Sequence, residues 1–141
     1  MSLVVFTAQY AYRGEDRFDV TRAGAERARF AGKPPEGDPF APPRWLLNVA
    51  KKRPGSRAGI PKGAAQPPED DAGAWAWYTE QYTVAMRQSY RKHRPAWDAL
   101  LARNTVTLVC FCTDPQKCHR TILARILVAL GAKYEGERTK P

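Results

Sequence analysis

Thr105-Val106-Thr107-Leu108-Val109-Cys110-Phe111-Cys112 decides the fold, together with the segment that follows it, Cys118-His119-Arg120-Thr121-Ile122-Leu123-Ala124-Arg125-Ile126-Leu127-Val128-Ala129-Leu130-Gly131. The first run is β-branched and apolar on both alternating faces. That pattern predicts an interior strand of a sheet covered on both sides. Asn104 and Thr113-Asp114-Pro115 bound it with turn residues. In the second run Ile122, Ile126 and Leu130 recur at four-residue steps, with Leu123 and Leu127 beside them, so it predicts a helix. Gly131 is placed to close that helix in a left-handed conformation. A strand, a short loop and a helix in succession predict a parallel α/β unit.

Working outward, Leu3 to Ala8 forms a second run that is apolar on both faces, which predicts a buried parallel strand near the start. Phe18-Asp19-Val20-Thr21 reads as a turn or a short strand, and residues 23–31 are ambiguous because Gly24 weakens a helix there. Residues 72–93 read as the longest helix, with Asp70 and Asp71 as amino-terminal caps. On it, Trp75, Tyr78, Tyr82, Met86, Ser89 and His93 recur at three- and four-residue steps. Pro95 opens a further helix to about Arg103. Residues 32–68 hold 9 of the 12 prolines and 5 of the 10 glycines. Within them Pro43 to Lys51 predicts a short helix, and residues 54–70, poor in large apolar groups, are expected to be mobile or held by a ligand or a second subunit. The charged tail from Tyr134 to Pro141 is expected to fray, with Tyr134 as the one residue able to pack. The expected architecture is α/β: a small parallel or mixed sheet flanked by helices, in one domain over 1–141, with a Pro/Gly-rich insertion at 32–70.

The chain has 141 residues, 43% hydrophobic and 26% charged, enough to bury a core without disulfides. No apolar run is long enough for a membrane span, and Met1 leads straight into Leu3-Val4-Val5-Phe6 without a basic leader, so a cytoplasmic protein with three reduced cysteines is expected. The net charge is +9, shared between residues 1–70 (12 basic, 8 acidic) and 71–141 (11 basic, 6 acidic). Such an excess favours anionic partners, either a phosphate-bearing small molecule or nucleic acid. No membrane partner is expected, and a homodimer is left open.

The chemistry gathers at the strand–helix junction. Ligands of parallel sheets bind beyond the carboxyl ends of the strands, where the next helix presents free N–H groups and its positive end. Convergence there requires the helix to begin near Cys118, since residues two apart within a helix face apart. Arg120 is then expected to hold a phosphate-like group, His119 to orient it or act as acid or base, and Cys118 to be the poised thiol. Asp19, Arg22 and Tyr78 are expected to complete the pocket. Cys112, at the strand end, reads as a site residue and Cys110 as core. The arginine of a phosphatase or sulfurtransferase loop, six residues after its cysteine, is missing: Cys118 stands there. Cys-x-Cys is a weaker redox signature than Cys-x-x-Cys. Zinc binding through Cys110, Cys112, Cys118 and His119 is a further alternative, disfavoured because buried strand cysteines approach a shared metal poorly. The leading reading therefore includes no metal and no cofactor, and leaves enzymatic activity open. A rival from another class is a non-catalytic nucleic-acid-binding module using Lys51, Lys52, Arg53 and Arg57.

The stretch Leu108-Val109-Cys110-Phe111-Cys112, then Cys118-His119-Arg120 and Leu123-Ala124, resembles the signature of a bacterial, archaeal and phage family known as "domain of unknown function 488": Leu-hydrophobic-Cys, a short loop, Cys-His-Arg and a Leu-Ala helix. The resemblance covers about residues 105–131. Asp19-Val20-Thr21-Arg22 is similar to the family's Asp-Val-Arg, with Thr21 intervening. Phe40-Ala41-Pro42 resembles its Pro-rich segment, and Tyr78, Tyr82 and Met86-Arg87 resemble the tyrosine-bearing helix of one subgroup. On that basis Tyr82 and Arg87 join the candidate ligand-binding residues. The resemblance implies a compact α/β fold with a parallel sheet and supplies no activity.

Overall fold

Among the described residues four strands form: β1 (Val4–Gln9) and β3 (Thr105–Cys110), rich in apolar and β-branched side chains, and the short or polar β2 (Arg17–Asp19) and β4 (Lys133–Arg138). They form one sheet in the order β2-β3-β1-β4, with every pairing parallel. The computed structural model describes residues 2–112 and 117–138. β3 is interior, as both of its apolar faces predict: Val106 to Cys110 are all buried. Val4 to Gln9 pair in register with Thr105 to Cys110, so both strands present their carboxyl ends at the same edge.

Five α-helices follow from local signals: α1 (Arg22–Phe30), α2 (Arg44–Ala50), α3 (Asp71–Lys92), α4 (Arg94–Leu101) and α5 (His119–Ala129). α1 resolves the ambiguity at residues 23–31. Thr21 caps it by accepting from Gly24 N–H, and the Asp19 carboxylate accepts from both the Thr21 N–H and hydroxyl. The local cap outweighs the low helix propensity of Gly24. Asp70 caps α3 by accepting from Gly73 N–H at 2.8 Å. α5 ends as predicted: Gly131, at φ +108°, lets its N–H reach the Val128 carbonyl and the Ala132 N–H reach that of Leu127.

One face of the sheet is covered by helices. Val5, Val106 and Leu108 pack with Leu123 and Leu127 of α5, Tyr82 of α3 and Trp97 of α4 in one cluster. The first half of the Pro/Gly-rich insertion joins this core through Phe40, Leu46 and Val49, and Phe40 sits edge-on to Trp97 at 4.8 Å. Residues 54–70 are mostly exposed, tied through Ile60 and through the Ala65 carbonyl, which accepts from Trp77 Nε1–H at 2.8 Å. The opposite face of the sheet buries Ala8, Val109 and Tyr12.

The tail differs from expectation. Lys133 to Arg138 is an edge strand paired with β1, and a bulge at Glu135 is accommodated by Gly136 at φ +110°. Side chains pin it where hydropathy predicted fraying. Tyr134 Oη lies 2.7 Å from Thr7 Oγ1, Glu137 pairs with Arg120, and Arg138 covers the Phe6 ring at 3.6 Å from its centre. Residues 139–141 lie outside the described residues.

Candidate functional site: a thiol cluster under a basic cleft

Period-two alternation turns Cys110, the last residue of β3, toward the helical face. The chain then bends: Phe111 is 55% exposed and stacks on Tyr10 at 4.2 Å, and Cys112 folds back beneath it. The expected loop caps, Asp114 and Pro115, lie outside the described residues. Cys118 is the residue that precedes the first turn of α5, in extended conformation, and its side chain makes no capping bond. Its sulfur is turned to Cys110 instead, 2.7 Å away, while Cys112 Sγ lies 3.7 Å from Cys110 Sγ. The three sulfurs all lie within 4.8 Å of one another. The three sulfurs thus gather more closely than was expected of buried strand cysteines. The strand stops at Cys110, so Cys112 is free of the pleat and returns to the sulfur of its neighbour.

His119 opens α5 and is buried. Its Nε2 is 2.9 Å from the Val20 carbonyl, which can only accept, so Nε2 carries the proton. Nδ1 faces Cys110 Sγ at 3.5 Å. The ring packs on Tyr82, the inner end of a ladder running down α3 through Tyr78 to Trp75.

Electrostatics distinguish the sulfurs. Hydrogen bonds from Cys110 and Cys118, with help from His119 and Arg120, pull the Cys112 thiol far below its ordinary range against the opposing effect of burial. Cys110 is raised chiefly because it donates to Cys112, and Cys118 is raised because it donates to Cys110 and Cys112. The thiolate form is thus favoured most at the least buried sulfur.

Arg120 does not reach the open side of this cluster. Its side chain is 0% exposed, with Nε and Nη2 on the Glu137 carboxylate at 3.2 and 2.8 Å and Nη1 on the Cys112 carbonyl at 2.8 Å. The carboxylate partner is Glu137 of β4. The guanidinium expected to hold a phosphate instead braces the floor from behind.

Above the sulfurs opens a cleft of about 830 Å³. Its floor is Cys110, Cys112, Cys118 and His119; one wall is the first half of α3, with Trp75, Trp77 and Tyr78. α2 and the turn after it line the cleft with Arg44, Lys51, Lys52, Arg53 and Arg57, and Lys117, next to Cys118 in the chain, lines it too. Glu69 and Asp71 are the carboxylates at this cleft, and Glu69 pairs with Arg57 at 3.2 Å. Among the described residues no ion pair engages Lys51, Lys52, Arg53 or Lys117.

Of the residues singled out in the sequence, Cys112, Cys118, His119, Arg22 and Tyr78 line this cleft. Arg22 is largely committed, however: it pairs with Asp38 and donates to the Pro42 and Ala41 carbonyls. Tyr82 is fully buried with its hydroxyl on the Phe40 carbonyl at 2.6 Å. Asp19 is used up by Thr21 and Tyr10. Arg87 is exposed on α3 and does not line the cleft. Lys117, Trp77 and Arg44 were not singled out; Cys110 was read as core in the leading reading and as a ligand only in the zinc alternative, although it is the hub of the cluster. The available signal for Cys110 was its two-residue spacing from Cys112 on one strand face.

Parallel strands whose carboxyl ends meet a helix amino terminus, with thiols at the junction and a basic cleft above, define a small α/β protein with a cysteine-rich site at the sheet edge. Residues 58–131, just over half of the chain, match the family described as the active DUF488-N3 subclade, and the chain belongs to that family. The match spans α3, α4, β3 and α5, and so includes all three cysteines and His119. No curated protein and no solved structure matches the chain.

Proposed function

We propose that the cleft binds a phosphate-bearing ligand that also carries a planar ring, a nucleotide or a nucleotide unit of nucleic acid. The observation that carries this reading is that one cavity is lined both by cations of α2 and its following turn that make no ion pair among the described residues and by the aromatic side chains Trp75, Trp77 and Tyr78 of α3. Lys51, Lys52 and Arg53 would meet the phosphate at the rim, where water still reaches them and desolvation is cheap. Trp75, half-buried at the open end of the α3 ladder, would stack on the ring; such stacking contributes about 1–3 kcal/mol per base. Cys112, Cys118 and His119 face the ligand from the floor, and Arg120 keeps that floor in place through the Cys112 carbonyl. The family's description as active accords with reactive side chains in this position. The cavity volume fits a single nucleotide.

Titration of tryptophan fluorescence with an adenosine nucleotide, and in parallel with a single-stranded oligonucleotide, tests this reading. Saturable quenching is expected, lost in Trp75→Ala and weakened at least tenfold in a Lys51→Glu, Arg53→Glu variant. Absence of binding to either probe up to about 5 mM, above the ~1 mM dissociation constant of a weak ligand, overturns it. Binding of the oligonucleotide alone, with steep salt dependence and no effect of Trp75→Ala, supports instead the rival reading of a surface that grips phosphates without a ring pocket.

A further inference from the structure

We propose that Cys110, Cys112, Cys118 and His119 form a binding site for a thiophilic divalent cation of the zinc class. Three sulfurs and one imidazole nitrogen are the donor set such an ion selects over magnesium or calcium, which take oxygen.

The distances carry the inference. Bond lengths of about 2.3 Å to sulfur and about 2.0–2.1 Å to nitrogen place the corners of a tetrahedron roughly 3.8 Å apart between sulfurs and roughly 3.5 Å apart between sulfur and nitrogen. Cys110 Sγ stands 3.7 Å from Cys112 Sγ and 3.5 Å from His119 Nδ1. Cys110 and Cys118, at 2.7 Å, are closer than this; they are nearer than unbonded sulfurs pack and farther apart than the ~2.05 Å of a disulfide. An ion between them draws both sulfurs onto itself, opens that edge by about 1 Å and draws in His119 Nδ1, which stands near Cys110 but outside the 4.8 Å within which the three sulfurs group.

The surroundings complete the site in the manner of a metal centre. A ligating histidine donates its other ring N–H to a fixed acceptor, which sets its tautomer and aims its lone pair. His119 does this with the Val20 carbonyl at 2.9 Å. Cys118 leaves its side chain out of capping although it occupies the capping position, so its sulfur is available. Cys110 and Cys118 are almost wholly buried, and half-buried Cys112 on the cleft floor supplies the entry path. Three thiolates around a divalent ion leave one net negative charge, opposite the buried Arg120 guanidinium that holds the Cys112 carbonyl. On binding, each coordinating thiol gives its proton to solvent, and no oxidant or reductant is needed. The ligands come from the end of β3 and the start of α5, so the ion would fasten the two elements that carry the site.

Elemental analysis of the full chain, purified without chelator, together with cobalt(II) titration of the stripped protein, tests the proposal. One zinc per chain is expected. Cobalt should give intense sulfur-to-metal charge-transfer absorption and the strong visible bands of tetrahedral coordination. Cys112→Ser, at the least buried ligand, should lose the charge-transfer intensity in proportion and bind zinc at least tenfold more weakly while far-ultraviolet dichroism stays unchanged. His119→Gln should keep the sulfur bands and shift the visible ones. Absence of bound zinc with a featureless cobalt spectrum overturns the proposal, whether alkylation then finds three free thiols or a Cys110–Cys118 disulfide. Should Cys112→Ser fail to fold, the wild-type metal content and cobalt spectrum decide alone. The outcome is separable from that of nucleotide binding, because Lys51→Glu, Arg53→Glu leaves every ligand untouched and should retain the metal in full.

Discussion

Replacing Glu137 by Ala removes the partner of the most deeply buried charge in the described chain. Arg120 is 0% exposed and depends on Glu137 for two of its three hydrogen bonds, at 2.8 and 3.2 Å; the Cys112 carbonyl supplies the third. Breaking a buried pair from one side costs about 3–5 kcal/mol, because the remaining charge is left desolvated. The Glu137 side chain is 26% exposed, so water can partly fill its place and the loss should fall near the lower bound, about 3 kcal/mol. For 141 residues the entropy of unfolding scales to roughly 0.3 kcal/mol per kelvin, which converts that loss to a fall in Tm of about 10 °C. Denaturant unfolding of wild type, Glu137→Ala and the double variant Arg120→Met, Glu137→Met measures it. The double variant should recover most of the loss, since neither charge is then buried alone. A cost under about 1 kcal/mol for Glu137→Ala, the size of an exposed pair, would refute the reasoning, as would a double variant no more stable than the single one.

Gly24→Ala should destabilise, against an intrinsic helix preference of about 1 kcal/mol for alanine. The added Cβ would stand 2.1 Å from Asp19 Oδ2, and that carboxylate is fixed by Thr21 and Tyr10; a raised denaturation midpoint would contradict this. Asp16 contributes an acid limb to stability. Burial raises its carboxyl, but bonds from Tyr12 and Thr107 and the charge of Arg138 outweigh it and hold the group below its ordinary 3.8. A depressed folded value means stability that is present above 3.8 and is lost as pH falls through the lower folded value, so Asp16→Asn should flatten the Tm profile below about pH 4. An unchanged profile argues against it. Trypsin should cut first after the exposed Arg57 or Lys62, since Pro54 protects the bond after Arg53, and a bound nucleotide should slow the cut at Arg57 of the cleft; mass spectrometry of early fragments checks this, and early cuts elsewhere count against the exposure argument.

Fold legibility tracked how local the determining signal was. β3 and α5 were readable because each carries its own periodicity, and Gly131 marks the helix end within one turn. α1 was not readable from propensity. Its cap depends on Asp19 holding Thr21, a bond between side chains that no period reports. β4 was missed for the same reason on a larger scale. Lys133-Tyr134-Glu135-Gly136-Glu137-Arg138 is polar at nearly every position, and it is a strand because Tyr134, Glu137 and Arg138 find partners on Thr7, Arg120 and Asp16, some 17 to 127 residues away.

The site shows the same division. Cys118-His119-Arg120 was legible as the start of a helix, and the start falls where the functional reading required. The use of each residue was not legible, because three consecutive residues at a helix amino terminus point in three directions. Cys118 turns to the sulfurs, His119 to the Val20 carbonyl, and Arg120 to the far side of the sheet, where Glu137 waits on the strand that hydropathy had written off. Missing β4 therefore hid the partner of Arg120: a carboxylate such as Asp19 was the alternative in view for the guanidinium, and the one that holds it, Glu137, lies on the unread strand. Conversely, the Lys51-Lys52-Arg53 cluster looked like a rival to the cysteine site because some 60 residues separate them in the chain. α2 packs on α3 through Trp45 and Trp77, and its end and the turn after it line the same cleft as the cysteines, so the two features that sequence set against each other belong to one cavity.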